Sequence, residues 1–224
     1  MPSWNRGCRK GEKRMFETIL PEEIEQRSFA IIEEELGEQV LNPVQAPVIK
    51  RVIHTTADFD YVENLCFSEQ AVEKGVKALK DGACIVTDTE MARAGINKRA
   101  LARFGGEAFC FMSDEEVARE AKARGVTRAS VSMERAASLH RPLVVAIGNA
   151  PTALARLYEL TREGKISPEL VIGVPVGFVH VVEAKELFLQ SEVPHIVARG
   201  RKGGSNVAAA ICNAMLYLAG GRTL

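Results

Sequence analysis

The chain lacks a long apolar run and any close grouping of metal-binding residues. No stretch approaches the roughly 20 consecutive apolar residues of a membrane-spanning helix, so no membrane partner is expected. The five cysteines are an odd number, and no two are close in sequence. No CxxC pair or Cys/His cluster is present, which argues against a bound metal. Separated thiols favour a reducing compartment, and we expect a cytoplasmic protein.

An excess of charge of one sign is also missing. Lysine plus arginine number 29, as do aspartate plus glutamate, so the formal net charge is zero. Because nucleic-acid binding draws on a basic surface, this balance predicts that nucleic acid is not a partner, although it is compatible with a local basic patch. The apolar fraction of 46% is ordinary for a globular protein.

The N-terminus lacks the apolar core of a signal peptide. Residues 1–14 are polar and basic, and we expect them to form a disordered extension. Translation from Met15 is an alternative start. The remaining residues, 15–224, are numerous enough for one α/β domain with a sizeable core.

Apolar strand-like segments alternate with helical patterns along most of the chain. Five strands are predicted, at 83–87, 107–111, 143–147, 170–174 and 194–198. Nearly all-apolar strands between helices are typical of a parallel sheet covered on both faces. We therefore predict a single three-layer α/β domain, with a mainly parallel sheet of about five strands flanked by helices.

Helix boundaries follow from apolar spacing and from capping residues. The predicted helices span 21–36, 43–54, 68–80, 89–94, 98–104, 113–125, 152–163, 180–190 and 205–218. The β-branched residues of 43–54 leave a strand as the alternative there. Ser68 is predicted to cap its helix, and Ser113 to form a capping box with Glu116.

Three glycine-bearing loops follow the last three predicted strands. The first loop is Ile147–Pro151, the second loop is Gly173–Phe178 and the third loop is Gly200–Ser205. Because the carboxyl ends of parallel strands meet at one edge of a sheet, we expect the loops to lie together where such folds bind ligands. The third loop carries cations just before a helix, whose N-terminal N–H groups favour anions. The pattern predicts an anionic ligand.

Several residues near these loops have both a functional and a structural interpretation. Gly203, Gly204 and Ser205 either let a ligand approach the backbone or form a solvated basic turn. Asp88 and Asn149 are each either a helix cap or a ligand contact. Arg128 either clamps a carboxylate or is a surface arginine. A P-loop order is absent, and no GxGxxG precedes an acidic residue, so a dinucleotide is poorly supported.

His54 has the most polar surroundings of the four histidines. Two cations, two hydroxyls and a carboxylate lie within four residues of it, in the segment from Lys50 to Asp58. Histidine is the side chain best matched to proton transfer near neutral pH. His54 is therefore a candidate acid–base residue. The alternative is a histidine at a helix end whose ring bonds a local carbonyl group.

A resemblance to a known family rests on ordered segments from about Ile24 to Ala219. These segments are Ile24 with Ser28-Phe29, Arg51-Val52-Ile53-His54, Thr87-Asp88 with Met91 and Gly95-Ile96, Thr127-Arg128, Ile147 to Leu154, Gly173 to Val179 with Glu183 and Lys185, and Gly203-Gly204-Ser205 with Ala208, Ala210 and Asn213-Ala214. Together they resemble the precorrin-8X methylmutase family of cobalamin biosynthesis, including its cobalt-precorrin-8 members. Seven ordered motifs are a specific match, although each alone would be weak.

The resemblance implies an isomerase that moves a methyl group from C-11 to C-12 of the corrin precursor, giving cobyrinic or hydrogenobyrinic acid. In the family, the histidine that matches His54 is the proposed proton donor, and the residues that match Ser28 and Arg51 contact substrate. The family is homodimeric, has its active site at the subunit interface and uses no organic cofactor. A corrinoid is the implied small-molecule ligand.

Two other functions are compatible with the residues. One is a non-catalytic corrinoid carrier, which would need the same anion-binding loops. The other is an α/β enzyme that acts on a phosphorylated small molecule through the helix start at Gly203-Gly204-Ser205.

Overall fold

The structure, a computed structural model, describes residues 20–222 apart from the side chains of Pro21 and Glu22. The predicted extension 1–14 and the domain boundary at Met15 lie outside these residues. Six strands occur in the described part of the chain. They are β1 Leu65–Phe67, β2 Cys84–Thr87, β3 Ala108–Phe109, β4 Leu143–Ile147, β5 Leu170–Gly173 and β6 His195–Ala198.

Helices connect and cover the strands. They are α1 Pro21–Leu36, α2 Ala46–Thr56, α3 Tyr61–Asn64, α4 Ala71–Lys80, α5 Glu90–Gly95, α6 Lys98–Ala102, α7 Glu115–Arg124, α8 Arg128–Ala137, α9 Pro151–Arg162, α10 Val181–Leu189 and α11 Ser205–Ala219. The five predicted strands are all present. Strand β1 and helices α3 and α8 were not predicted, and segment 43–54 is a helix rather than a strand.

The strands form one sheet in the order β1-β6-β5-β4-β2-β3. Strand β1 is antiparallel to β6, and all other neighbouring strands are parallel. The chain passes from β2 outward to β3 and then returns to place β4 on the other side of β2. Ligands of open α/β sheets bind at such a reversal, outside the carboxyl ends of the strands.

The sheet separates two apolar layers, because successive side chains of a strand point to opposite faces. In β4, Val144 and Ala146 join the cluster that includes α2, α4 and α11, while Val145 and Ile147 join the cluster that includes α8, α9 and α10. These four side chains are fully buried. The predicted three-layer α/β architecture is confirmed.

Two predicted helix caps are wrong. Ser68 does not cap α4, which begins at Ala71; its Oγ atom instead accepts the His195 backbone N–H over 2.8 Å. Ser113 forms no capping box, because α7 begins after Asp114 without a side-chain cap. The local sequence predicted that the Ser68 side chain would cap a helix, but its oxygen is occupied by a backbone N–H of β6. Among residues 20–222, no helix has the length and apolar character that crossing a membrane requires.

Candidate functional site

The three loops are in contact at the carboxyl edge of the sheet. The Gly204 N–H donates to the Val174 carbonyl over 2.9 Å and joins the third loop to the second. A Cβ atom on Gly148 would lie only 2.7 Å from the Ser205 Cα atom, so the first and third loops touch through their backbones. The Ser205 Oγ atom lies 2.7 Å from Thr89 Oγ1, which adds the segment after β2.

Gly203 occupies a position that no other residue fits. Its φ angle is +157°, and a Cβ atom would lie 2.1 Å from the Val174 carbonyl oxygen. A side chain there would therefore separate the second and third loops. Backbone packing accounts for this glycine without involving a ligand, so a substrate contact at Gly203, Gly204 or Ser205 stays a prediction.

Asp88 holds the first loop from beneath. It is fully buried, and its Oδ1 atom accepts the Gly148 N–H over 2.8 Å. Its Oδ2 atom accepts the N–H groups of Asn149 and Ala150 over 2.8 and 2.6 Å. Burial raises the pKa of Asp88, and the three N–H donors oppose this shift. Asp88 does not cap the following helix, since the N-cap residue of α5 is Thr89, and both of its oxygens are instead occupied by N–H groups of the first loop.

Asn149 and Arg128 lie at the same edge with exposed side chains. Asn149 does not cap α9, whose N-cap residue is Ala150, so its side chain is left facing outward. Arg128 is the first residue of α8, and the preceding Thr127 places its Oγ1 atom 2.9 Å from that of Thr152 in α9. Both side chains are therefore accessible to a ligand at the carboxyl edge of the sheet. A ligand contact of Asn149 or Arg128 stays a prediction.

A buried lysine of α10 supports the third loop through hydrogen bonds to its backbone. Lys185 on α10 has no exposed surface, and its Nζ atom donates to the carbonyl oxygens of Gly200 and Lys202 over 2.9 and 2.7 Å. Burial lowers its pKa to about 8. A buried charge is costly unless it is hydrogen-bonded, so these two bonds fix both the lysine and the loop.

Lys202 ties the third loop to the segment that follows α2. Its Nζ atom lies 2.7 Å from Asp58 Oδ2 and 2.5 Å from Asp60 Oδ2. These hydrogen-bonded carboxylates raise the pKa of Lys202, and Lys202 in turn lowers the pKa of Asp58. The pairs connect the carboxyl edge of the sheet to the segment that follows the helix carrying His54.

His54 lies in the last turn of α2 with an exposed side chain. Its ring stacks on Phe29 of α1, with centroids 5.1 Å apart and planes at 18°. Partial burial lowers its pKa below the ordinary value of 6.5, Arg51 lowers it further, and Glu25 opposes the shift. His54 is therefore a reachable imidazole that binds its proton less tightly than a free histidine.

Arg51, one turn earlier, is buried with part of its guanidinium unsatisfied. Its Nη1 atom lies 2.6 Å from Glu25 Oε1, and the guanidinium carbon lies 4.8 Å from the Phe29 ring centre and 5.1 Å from that of Tyr217. The Nε and Nη2 atoms have no hydrogen-bond partner among residues 20–222. Unpaired buried donors are rare, and these two are suited to an acceptor from a ligand.

Ser28 belongs to the same junction of α1 and α2. It precedes Phe29, the ring that contacts both Arg51 and His54, and its Oγ atom donates to the Ile24 carbonyl over 2.8 Å. The structure thus brings Arg51 and His54 against one aromatic ring, and Ser28 is the residue before that ring in α1. A cavity of about 280 Å³ opens beside it, lined by Glu25, Gln26, Phe29, Ala30, Glu33 and Arg222.

Sequence reasoning missed several residues of this arrangement. Glu25, Tyr217 and Arg222 complete the surroundings of Arg51, and Arg222 also pairs with Glu25. No local pattern signals these contacts, because they join α1 to the C-terminal end of α11. Asp58 was counted in the sequence as the carboxylate near His54. Its pairing with Lys202 was not predictable, because the two residues are 144 positions apart. Residues 20–222 hold no group of three or more His, Cys, Asp or Glu side chains suited to a metal ion.

The chain is similar to known proteins over most of its length. A sequence profile described as Precorrin-8X methylmutase matches residues 23–218. The cobalt-precorrin-8 methylmutase of Salmonella typhimurium is 47% identical over 203 residues, covering 88% of this chain and 95% of the relative. That of Priestia megaterium is 44% identical over 202 residues, covering 90% of each chain.

A solved structure has the same fold. The precorrin-8X methylmutase of Thermus thermophilus superposes with a TM-score of 0.81 at 41% sequence identity, covering 89% of this chain and 98% of that one. The region that the sequence profile matches, residues 23–218, contains the α1–α2 junction and all three loops. The chain therefore belongs to the precorrin-8X methylmutase family, the methyl-shifting isomerases of cobalamin biosynthesis.

Proposed function

We propose that this protein moves a methyl group from C-11 to C-12 of precorrin-8 or its cobalt form, by a sigmatropic shift that protonation of the macrocycle assists. The single observation that carries the proposal is the α1–α2 junction. There an exposed imidazole, His54, lies beside a buried arginine that keeps two N–H donors unpaired. The relatives named cobalt-precorrin-8 methylmutase support the choice of substrate.

The chemistry asks little of the protein beyond a proton and a fixed geometry. A methyl shift within a conjugated ring needs no nucleophile and no redox partner. Protonating a ring nitrogen makes the macrocycle electron-poor, and His54 supplies and recovers that proton. Holding the ring in one orientation contributes further to the rate, since positioning alone lowers barriers by several kcal/mol.

Peripheral carboxylates of the macrocycle would be anchored by cations and by N–H groups. We propose that Arg51 binds one carboxylate through its free Nε and Nη2 atoms. Ser28, Arg128, Asn149, Gly203, Gly204 and Ser205 are the further proposed substrate contacts. Asp88 is fully buried, so we propose that it acts on the substrate indirectly, by holding the N–H groups of the first loop in place.

We further propose a cytoplasmic homodimer of chains folded over residues 15–224, with the active site at the subunit interface. The cavity beside Phe29, of about 280 Å³, is too small to enclose a whole corrin macrocycle. The end of the second loop and the residue after it carry exposed apolar side chains, with Phe178 82% and Val179 71% accessible. An apolar surface of this kind is suited to a partner or to a ring face.

Single-turnover conversion tests the proposal. Stoichiometric protein mixed with precorrin-8 should change the visible spectrum from that of the substrate to that of the product, because the shift alters the conjugated system. A corrinoid carrier would bind the substrate without this change. An enzyme for phosphorylated molecules would bind nucleotides or sugar phosphates in a thermal-shift panel and leave precorrin-8 unaltered.

The pH dependence of kcat/KM should report the proton on His54. The lowered pKa means that the donor is protonated only below an apparent value under 6.5, so kcat/KM should fall as pH rises through that value. Replacing Glu25 with glutamine removes the charge that raises this pKa and should move the falling limb to lower pH. A profile flat from pH 5 to 8, or one that Glu25→Gln leaves in place, contradicts the role of His54.

A further inference from the structure

Lys185 is a buried positive charge without a carboxylate partner among residues 20–222. Its Nζ atom is bonded instead to two carbonyl oxygens of the third loop, those of Gly200 and Lys202. An ammonium group taken out of water in this way is expensive unless something gains from the charge.

The two bonds fix the orientation of two peptide groups. The described chain has no cis peptide bond, and in a trans peptide the N–H points opposite to the C=O. The N–H of Arg201 shares a peptide with the Gly200 carbonyl, and the N–H of Gly203 shares one with the Lys202 carbonyl. Since both carbonyls point inward to Lys185, both N–H groups point away from it, toward the outer side of the loop.

Neither N–H group has a hydrogen-bond acceptor among residues 20–222, whereas the neighbouring Arg199 and Gly204 N–H groups donate to Asn64 and Val174 carbonyls. Arg201 is exposed and Gly203 is half-buried, so both N–H groups are accessible to water or to a ligand. The ammonium bonded to the other end of each peptide polarises it and strengthens its N–H as a donor. Concave surfaces lined by backbone N–H groups are a recurrent way of binding an anion.

We propose that the outer face of the third loop is a carboxylate-binding site, formed by the N–H groups of Arg201 and Gly203 and held by Lys185 as a positioning residue. The ligand is a peripheral carboxylate of the corrinoid, so the inference rests on the proposed function and deepens it. Lys202 does not compete for that carboxylate, because Asp58 and Asp60 already neutralise it.

A comparison of acid and amide ligands tests the site. Lys185→Met keeps the length of the side chain and removes its donors, and Lys165→Met removes an exposed lysine paired with Glu163 as the control. The probes are the carboxylate-bearing product and an analogue with all peripheral carboxylates converted to amides. Lys185→Met should raise the Kd of the acid about tenfold, on the scale of hydrogen bonds to a charged group, and leave that of the amide unchanged. KM should rise with kcat retained.

Equal losses for the acid and the amide, or a fall in kcat at unchanged KM, would overturn the proposal, because they indicate general support of the fold. If Lys185→Met does not fold, the amide NMR signals of wild-type protein labelled with ¹⁵N test the same site. Adding the acid should shift the Arg201 and Gly203 amide signals and leave that of Gly164, at the end of α9, in place; unshifted Arg201 and Gly203 signals overturn the site. Failure of the proposed function is distinguishable from failure of this site: it would be seen as wild-type protein that binds precorrin-8 without converting it.

Discussion

His54→Ala should lower kcat by about 10²–10⁴-fold, the usual contribution of a positioned proton donor. Product affinity and melting temperature should stay near their wild-type values. The imidazole is exposed and its described ring contact is the stack on Phe29, so its removal neither opens the core nor unpairs a buried group. Single-turnover rates, product titrations and thermal unfolding measure the three quantities on one preparation.

His140→Ala is the matched control for this variant. His140 is also exposed, and it lies just before β4, at the sheet edge opposite the three loops. Its replacement should leave kcat unchanged. Near-normal turnover by His54→Ala would remove His54 from the reaction, and a large loss of product affinity in that variant would make it a binding residue instead of a proton donor.

Asp88→Ala should lower the free energy of unfolding by about 3 kcal/mol, because N–H groups of the first loop lose a buried acceptor. The carboxylate accepts from Gly148, Asn149 and Ala150, and the first loop packs directly on Ser205. Asp88→Asn should cost less, since the amide keeps one acceptor oxygen. Urea unfolding monitored by circular dichroism measures both values.

Asp81→Ala supplies the comparison for a carboxylate on the surface. Asp81 pairs with Lys77 at the exposed C-terminal end of α4, and such exposed pairs contribute little to stability. A loss from Asp88→Ala no greater than that from Asp81→Ala would mean that water replaces the carboxylate under the first loop. The account of Asp88 as the support of that loop would then be wrong.

The fold class could be read from the sequence because apolar strands and helical patterns alternate in β2 to β6. Strand β1 could not, because it is three residues long and pairs with β6 in the antiparallel direction, 131 positions or so away. Short strands of this kind depend on the partner rather than on local periodicity. Helix α8 was missed because Arg128 was considered only as a carboxylate clamp or a surface arginine, and Thr127 was not interpreted as the cap that its side chain provides.

The meeting of the three loops at one edge of the sheet was also predictable, since parallel strands place their carboxyl ends together. The contacts within it were less so. The sequence allowed Asp88 to be either a helix cap or a ligand contact, and only its three N–H partners show that it holds the first loop. Lys185 was named only as part of the family resemblance, and its burial was not predictable, because a lysine in a helix is usually exposed, whereas here its charge is buried beneath the third loop.

Segments distant in sequence meet at the α1–α2 junction for reasons that no local pattern contains. Arg51 is buried between Phe29 and Tyr217, and its ion pair with Glu25 joins α2 to α1. Such contacts follow from how α1, α2 and α11 pack. The family resemblance selected Arg51 and His54, and the packing explains why the one keeps free donors while the other keeps an accessible ring.

The structure of the protein with its product bound is the measurement that tests the central claim most directly. That claim is that His54 gives a proton to the macrocycle while the loops and Arg51 hold its carboxylates. We expect a ring nitrogen of the product within hydrogen-bond reach of His54, at about 2.6–3.2 Å or through one water, and a carboxylate on the free Nε and Nη2 atoms of Arg51. Product bound with its ring nitrogens away from His54, and with no carboxylate on Arg51, would contradict the account.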